Sequence, residues 1–199
     1  MTIAWVMENT LAYRLWQAPF RAEKFAPILA HNDMTRIGRV LDVGCGPGTN
    51  TQYFAHGDYI GIDMNAKYIE DARRRFGRTF IVADVTRYSV TPSERFDFIL
   101  LNSLLHHIDS SGVQGLLAQL AGLLTKDGHI HIVDLVLPER ASVARFLARA
   151  DRGKYARPLL KWRAIFGEFF SEEVFEPFTL RRLDCELWQL VYFKGRARQ

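Results

Sequence analysis

The feature that most restricts the fold of this chain is an apolar run that leads straight into a glycine-rich loop. Residues 38–43 (GRVLDV) have the character of a strand, and glycines follow at positions 44, 46 and 48. Glycine permits a sharp backbone turn and lets a ligand approach without a Cβ in the way. The pattern predicts a strand, a loop that can hold a ligand, and a helix over residues 49–56.

Strand and helix patterns continue to alternate through residue 137. Apolar runs predict further strands at residues 59–62, 79–83, 96–101 and 129–137. Helices are predicted at residues 65–76 and 110–124, the second capped by Ser110 and ended by the KDG sequence at residues 126–128. Such alternation indicates right-handed βαβ crossovers and a doubly wound α/β fold with a mostly parallel sheet.

Three further segments flank this alternating region. Residues 1–36, with Trp5, Tyr13 and Trp16, are predicted to form a helical cap outside the sheet. Residues 139–170 predict a helical insert of two helices, broken near Arg157-Pro158. Two extended runs, about 174–183 and 185–193, then predict a terminal hairpin that adds an antiparallel edge. We interpret residues 1–199 as a single domain.

Composition limits the classes of protein to consider. The two cysteines, Cys45 and Cys185, have no metal-ligand spacing, which argues against a disulfide framework and fits a reducing cytoplasm. No signal peptide, membrane span or metal site is expected. The formal net charge is only +4, so tight nucleic-acid binding is not expected either. Nothing in the sequence predicts an oligomeric state.

Carboxylates close three successive predicted strands. Asp42 lies in the first, Asp63 ends the second and Asp84 follows the third. At this edge of an open α/β sheet, a carboxylate in the place of Asp63 can accept both hydroxyls of a ribose, and Asp84 lies within reach of an adenine amine. The loop departs from the dinucleotide fingerprint, because Thr49 replaces its third glycine and Pro47 removes an N–H donor. These departures disfavour a nucleotide-dependent oxidoreductase and favour S-adenosylmethionine, which has no phosphate.

The segments LDVGCGPGTNT, YIGIDMN, VADV and FDFILLNSLLHHI resemble the class I S-adenosylmethionine-dependent methyltransferases. The resemblance covers residues 38–137 and implies a Rossmann-like, seven-stranded sheet whose last strand is antiparallel. It also implies which residues contact the cofactor. These are Gly44, Cys45 and Gly46 at the methionine part, Asp42 at the loop or the ammonium, Asp63 at the ribose, Met64, Asp84 and Val85 at the adenine, and Asn102 and Ser103 at the methionine part and the sulfonium.

Methyl transfer requires the enzyme mainly to align donor and acceptor and to exclude water; a base is needed only if the acceptor must lose a proton. His106 and His107 follow the fourth strand and are candidate catalytic bases, with His107 preferred. The alternative is that one of them packs or caps the next helix through Asp109. Asp134, late in the fifth strand, either faces the pocket or points outward. His129 and His131 are predicted to be surface or packing residues.

Missing motifs narrow the acceptor. The position after strand four lacks the proline motif of base-amine methylases and the glutamate pair of protein-arginine methyltransferases, so a small metabolite methylated on oxygen or nitrogen is favoured. The alternatives are a nucleic-acid methyltransferase and a cofactor-binding protein that does not transfer methyl groups. In the insert, Arg145, Arg149 and Arg152 share a helical face. That face is either solvated or, through Arg149 and Arg152, the rim of a site for an anionic substrate.

Overall fold

The computed structural model describes residues 20–87, 94–151 and 153–198. Its centre is one seven-stranded sheet in the order β3-β2-β1-β4-β5-β7-β6. The strands are β1 (Arg39–Val43), β2 (Asp58–Asp63), β3 (Thr79–Val82), β4 (Phe96–Asn102), β5 (Leu124–Val136), β6 (Phe170–Arg182) and β7 (Cys185–Ala197). β1 to β5 are parallel, whereas β7 runs antiparallel to β5 and to β6. The predicted mostly parallel sheet with an antiparallel terminal hairpin is confirmed.

Helices cover both faces of the sheet. They are α1 (Arg21–Ala30), α2 (Ala66–Phe76), α3 (Ser110–Ala121), α4 (Val143–Ala150) and α5 (Leu159–Phe169). Buried residues of α3 and α5 belong to one apolar core, and buried residues of α1 and α2 belong to the other. The two helices of the insert are confirmed. Trp5, Tyr13 and Trp16 of the predicted cap lie outside the described residues.

The helix predicted at residues 49–56 is wrong. Only one 3₁₀ turn forms there, Thr51–Tyr53. Gly44, Gly46 and Gly48 all adopt positive φ angles, of 74°, 55° and 72°. These left-handed residues delay any right-handed helix, and β2 already begins at Asp58. The loop between β1 and β2 is therefore irregular and leaves its backbone accessible beside the end of β1.

The boundary between α3 and β5 also differs from the prediction. Asp109, not Ser110, caps α3 by accepting a hydrogen bond from the Gly112 amide at 2.8 Å. The helix ends at Ala121, and Leu124 opens β5 opposite Phe96. A shift in the register between β4 and β5 accommodates residues 125–128. Their polar character is why the sequence pattern placed the start of this strand too late.

The insert packs firmly on the sheet. The Trp162 side chain of α5 is fully buried, and its indole N–H donates to the Leu135 carbonyl of β5 at 2.9 Å. The turn between β6 and β7 contains Leu183 and Asp184, both with positive φ, as expected for a tight hairpin. None of the helices in the described part of the chain is long and apolar enough to cross a membrane.

Candidate functional site

Asp42 lies at the base of the site, fully buried in β1. One carboxylate oxygen accepts from the Tyr59 hydroxyl at 2.6 Å and from the Asn50 side-chain amide at 3.2 Å. The other oxygen has no hydrogen-bond partner among the described residues. Burial raises the pKa of Asp42 to about 6, despite these two donors. An unpartnered buried oxygen is costly, which is typical of a group that a ligand completes.

The glycine loop turns directly above Asp42. The amides of Gly44 and Cys45 both donate to the Ile62 carbonyl, at 2.8 and 3.0 Å, which fastens the loop to β2. The Gly46 amide donates to the Asp63 carboxylate at 2.9 Å. A Cβ at Gly46 would meet nothing within 4 Å, so this backbone faces open space. Burial raises the pKa of the Cys45 thiol, which disfavours a nucleophilic role.

Two cavities adjoin at Gly44. The larger, of about 390 Å³, is lined on the β2–β3 side by Asp63, Met64, Ala83, Asp84, Val85 and Thr86, and opposite them by Leu104, His107, Ile108, Asp109, Gly112 and Tyr155. The smaller, of about 40 Å³, is lined by Arg21, Lys24, Gly44, Cys45, Gly46, Pro47, Thr49, Asn50, Asn102 and Ser103. Nine of the ten residues predicted to contact a cofactor line these cavities, and the tenth, Asp42, is hydrogen-bonded to Asn50 of the smaller cavity.

The acidic residues of the larger cavity differ in environment. Asp63 accepts from the amides of Gly46 and Asn65, but burial outweighs these bonds and raises its pKa. Asp84 is exposed, and hydrogen bonds from the hydroxyl and amide of Thr86 lower its pKa. Asp84 is therefore a fixed acceptor at the open end. Met64, 74% exposed beside Asp63, leaves an apolar surface uncovered at the same end.

The two histidines have opposite environments. His106 is buried, with Nδ1 2.6 Å from Asp134 and Nε2 3.4 Å from Asp151. Burial opposes its charge, but the two carboxylates outweigh burial and raise the pKa of His106 to about 9. An imidazole that is already protonated at neutral pH is a poor base. His107 is exposed and lines the larger cavity.

Asp134 neither faces a cavity nor points outward. It is fully buried and accepts from the amides of Leu104 and Leu105 at 3.1 and 2.7 Å, so it holds the backbone that follows β4. His106 outweighs burial and lowers its pKa. The prediction for His129 and His131 is confirmed: His129 pairs with Glu173 at 3.1 Å, and buried His131 stacks on Phe98.

The three arginines of the insert stripe lie in different settings. Arg145 donates to the backbone carbonyls of Pro138 and Glu139, which fixes the start of α4. Arg149 is exposed and lines neither cavity, and Arg152 lies outside the described residues.

Sequence reasoning missed two cations of α1, Arg21 and Lys24, which line the smaller cavity. Lys24 Nζ donates to the Ser103 hydroxyl at 3.3 Å, and burial lowers the pKa of Lys24 to about 8. Arg21 Nε is buried without a hydrogen-bond partner in the described chain. Their spacing of three residues, which places both on one helix face, was the available signal.

Sequence comparison identifies a methyltransferase-domain family model that matches residues 40–128. A trans-aconitate 2-methyltransferase of Delftia acidovorans is 29% identical over 186 residues, which cover 86% of this chain and 69% of that protein. A trans-aconitate 2-methyltransferase of Paracidovorax citrulli is also 29% identical, over 57% of this chain and 46% of that protein. The chain thus spans less than half the length of this second relative.

Structural comparison gives the same fold. The N-methyltransferase NodS from Bradyrhizobium japonicum, solved with S-adenosylhomocysteine, aligns with a TM-score of 0.71 and 18% identity, over 91% of this chain and 89% of NodS. A TehB-like methyltransferase from Corynebacterium glutamicum aligns with a TM-score of 0.64 and 17% identity, over 95% and 98% of the two chains. Residues 40–128 are therefore similar to a methyltransferase domain, and the sheet with its glycine loop at the end of β1 has the same fold as these two methyltransferases.

Proposed function

We propose that this protein binds S-adenosylmethionine in the two adjoining cavities and methylates oxygen or nitrogen of a small, carboxylate-bearing metabolite. The observation that carries the proposal is the junction of the cavities at Gly44, with Asp63 on one side and the unpartnered oxygen of Asp42 beneath. The residues fit the cofactor. A nucleoside needs hydrogen-bond acceptors for its hydroxyls, and the methionine part needs opposite charges near its ammonium and its carboxylate.

The residues around the junction divide between the parts of the cofactor. Asp63 would accept the ribose hydroxyls, while Asp84, Met64 and Val85 would surround the adenine. The loop from Gly44 to Gly46, with Asn102 and Ser103, would hold the methionine part, and Asp42 would offset its ammonium. When bound, S-adenosylmethionine supplies an electrophilic methyl group on a positively charged sulfur.

The chain itself has to align the acceptor, exclude water and receive any proton that the acceptor loses. His106 is held at both ring nitrogens. His107 is exposed at the cavity wall, so we assign proton acceptance, where the acceptor requires it, to His107. Asp134 acts on the backbone of Leu104 and Leu105 rather than on a ligand.

Two observations support a carboxylate-bearing acceptor. The relatives from Delftia acidovorans and Paracidovorax citrulli are named for methylation of trans-aconitate, a small anion. Arg21 and Lys24 also concentrate positive charge at one end of the site. We further propose that residues 1–199 act as one domain, with residues 1–36 and 139–170 as walls of the site. The free thiols of Cys45 and Cys185 support a cytoplasmic location.

Neither alternative from the sequence gains support. No relative or structural neighbour cited above is named as a nucleic-acid methyltransferase or as a non-catalytic scaffold. Incubating the protein with S-adenosylmethionine and a panel of small carboxylic acids tests the proposal. We expect S-adenosylhomocysteine to accumulate with at least one acid and not in its absence. A protein that binds the cofactor but methylates only nucleic acid would contradict the proposal.

Replacing Asp63 with alanine is expected to weaken S-adenosylhomocysteine binding by about 1.5–3 kcal/mol, because the ribose loses charged hydrogen bonds. Isothermal calorimetry measures the change. Asp58→Ala is the matched control, since Asp58 is an exposed carboxylate at the opposite end of the same strand. Equal affinities of folded Asp63→Ala and wild type would place the nucleoside elsewhere.

Replacing Arg21 with alanine tests the cationic end of the site. If Arg21 holds the carboxylate of the cofactor, S-adenosylhomocysteine should bind about tenfold more weakly, whereas 5′-methylthioadenosine, which lacks the amino acid, should bind unchanged. If Arg21 holds the acceptor, both affinities should stay constant and the KM of the acid should rise. Arg149→Ala is the control, because this exposed arginine lines neither cavity. If both affinities and the KM of the acid are unchanged in Arg21→Ala, Arg21 contacts neither the cofactor nor the acceptor.

A further inference from the structure

The end of the insert is attached to the loop that follows β4. The Tyr155 amide donates to the His106 carbonyl at 3.0 Å. The Arg157 guanidinium donates to the Leu105 and Ile108 carbonyls at 3.4 and 3.0 Å. This loop contributes Leu104, His107 and Ile108 to the larger cavity, and the insert contributes Tyr155. The position of the insert therefore decides part of the shape of the cavity.

His106 lies at the centre of this attachment. Its two ring nitrogens face carboxylates from different elements, Asp134 in β5 and Asp151 just after α4. The Gly153 backbone lies directly against the imidazole, since a Cβ there would be 2.0 Å from the His106 Cδ2 atom. A residue with a side chain at position 153 would clash with His106 unless the insert moved.

We propose that His106, Asp134 and Asp151 form a charged clasp, which fixes the insert against the loop after β4 and so positions Tyr155 and His107 at the wall of the cofactor cavity. His106 is then a positioning residue and not the proton acceptor. The part of the proposal that concerns the cavity as a ligand site rests on the proposed function, whereas the attachment itself does not.

The clasp depends on the charge of His106. A protonated imidazole donates from both nitrogens, whereas a neutral one donates from one and leaves a carboxylate unpaired. The other charged groups near the clasp are Lys24, Arg157 and His107. The pKa of His106, about 9 against 6.5 for a free histidine, agrees with this requirement. Because the pKa of His106 is raised in the folded state, the clasp gives its full stabilisation of the fold below about pH 6.5. This stabilisation is lost as the pH rises through about 9.

Replacing Asp151 with asparagine removes the charge on the insert side without a change in size. Nitrogen chemical shifts of the His106 ring, assigned with a His106→Asn variant, should show an imidazolium at pH 7 in the wild type. In Asp151→Asn, the titration should move toward 6.5. Calorimetry should show S-adenosylhomocysteine binding about threefold to tenfold more weakly at pH 7. Glu173→Gln is the matched control, because it breaks a histidine–carboxylate pair between His129 of β5 and Glu173 of β6, and neither residue lines the two cavities.

Three results would overturn the clasp. The first is a neutral His106 at pH 7 in the wild type. The second is an Asp151→Asn variant whose His106 titration is unchanged. The third is stoichiometric Zn²⁺ uptake by the chelator-treated protein that depends on His106, His107 and Asp151, because a metal ion would then bridge these ligands instead of a proton. If wild type fails to bind S-adenosylhomocysteine, the proposed function fails, but the ring titration still decides the clasp.

Discussion

Replacing Trp162 with alanine is expected to lower the free energy of unfolding by about 3–5 kcal/mol. The indole is fully buried between α5 and the sheet, stacks on Phe166 with ring centroids 5.4 Å apart, and donates to the Leu135 carbonyl. The Arg157 guanidinium lies 4.7 Å from the centroid of the ring. Truncation would leave a large cavity and remove the partner of a buried carbonyl, two costs that add.

Urea denaturation followed by circular dichroism measures this loss. Phe146→Ala is the matched control, because Phe146 is an aromatic residue of the same insert that is 70% exposed on α4, and its truncation should change stability by less than about 0.5 kcal/mol. If Trp162→Ala cost no more than the control, the insert would not be integral to the core. A two-step transition only in the variant would indicate that the insert unfolds separately from the sheet.

The sequence predicted the parallel core and the gathering of Asp63 and Asp84 at one edge of the sheet for one physical reason. Parallel strands all end at the same edge, so a residue that closes a strand is placed by the strand alone. The positions of Asp63, Asp84 and the loop glycines could therefore be predicted without knowing any contact between distant parts of the chain. The terminal hairpin was equally local, since the apolar runs and the turn at Asp184 lie within one segment.

The features that the sequence did not predict depend on pairs far apart in the chain. The clasp joins His106 to residues 28 and 45 positions later, and no local pattern marks those partners. Lys24 reaches Ser103 across 79 positions, so its place in the site follows only from how α1 packs on the sheet. The missing helix at residues 49–56 has a local setting, because this segment lies between the left-handed glycines at positions 44, 46 and 48 and the start of β2 at Asp58.

Replacing Asp42 with asparagine should stabilise the protein at pH 7 while weakening cofactor binding. The folded-state pKa of Asp42 is about 6, against 3.8 for the free side chain. At about 1.4 kcal/mol per unit, keeping this carboxylate charged at pH 7 costs up to about 3 kcal/mol of stability. Asparagine carries no charge and can still accept from the Tyr59 hydroxyl, so most of that cost disappears. S-Adenosylhomocysteine should bind at least about tenfold more weakly, because its ammonium loses the opposing charge.

The raised pKa of Asp42 also predicts how the stability difference between Asp42→Asn and wild type changes with pH. The folded wild type binds a proton more tightly than the unfolded chain, so the cost is present above about pH 6 and vanishes below 3.8. The stability advantage of Asp42→Asn, measured by urea denaturation, should therefore be largest at pH 7 and shrink as the pH falls through this window. Asp58→Asn, an exposed substitution at the far end of β2, should show no such trend. An Asp42→Asn protein less stable than wild type at pH 7 would mean that Asp42 is structural. The opposite result would mean that the fold holds this buried charge at the expense of stability, which is expected of a carboxylate retained for a ligand.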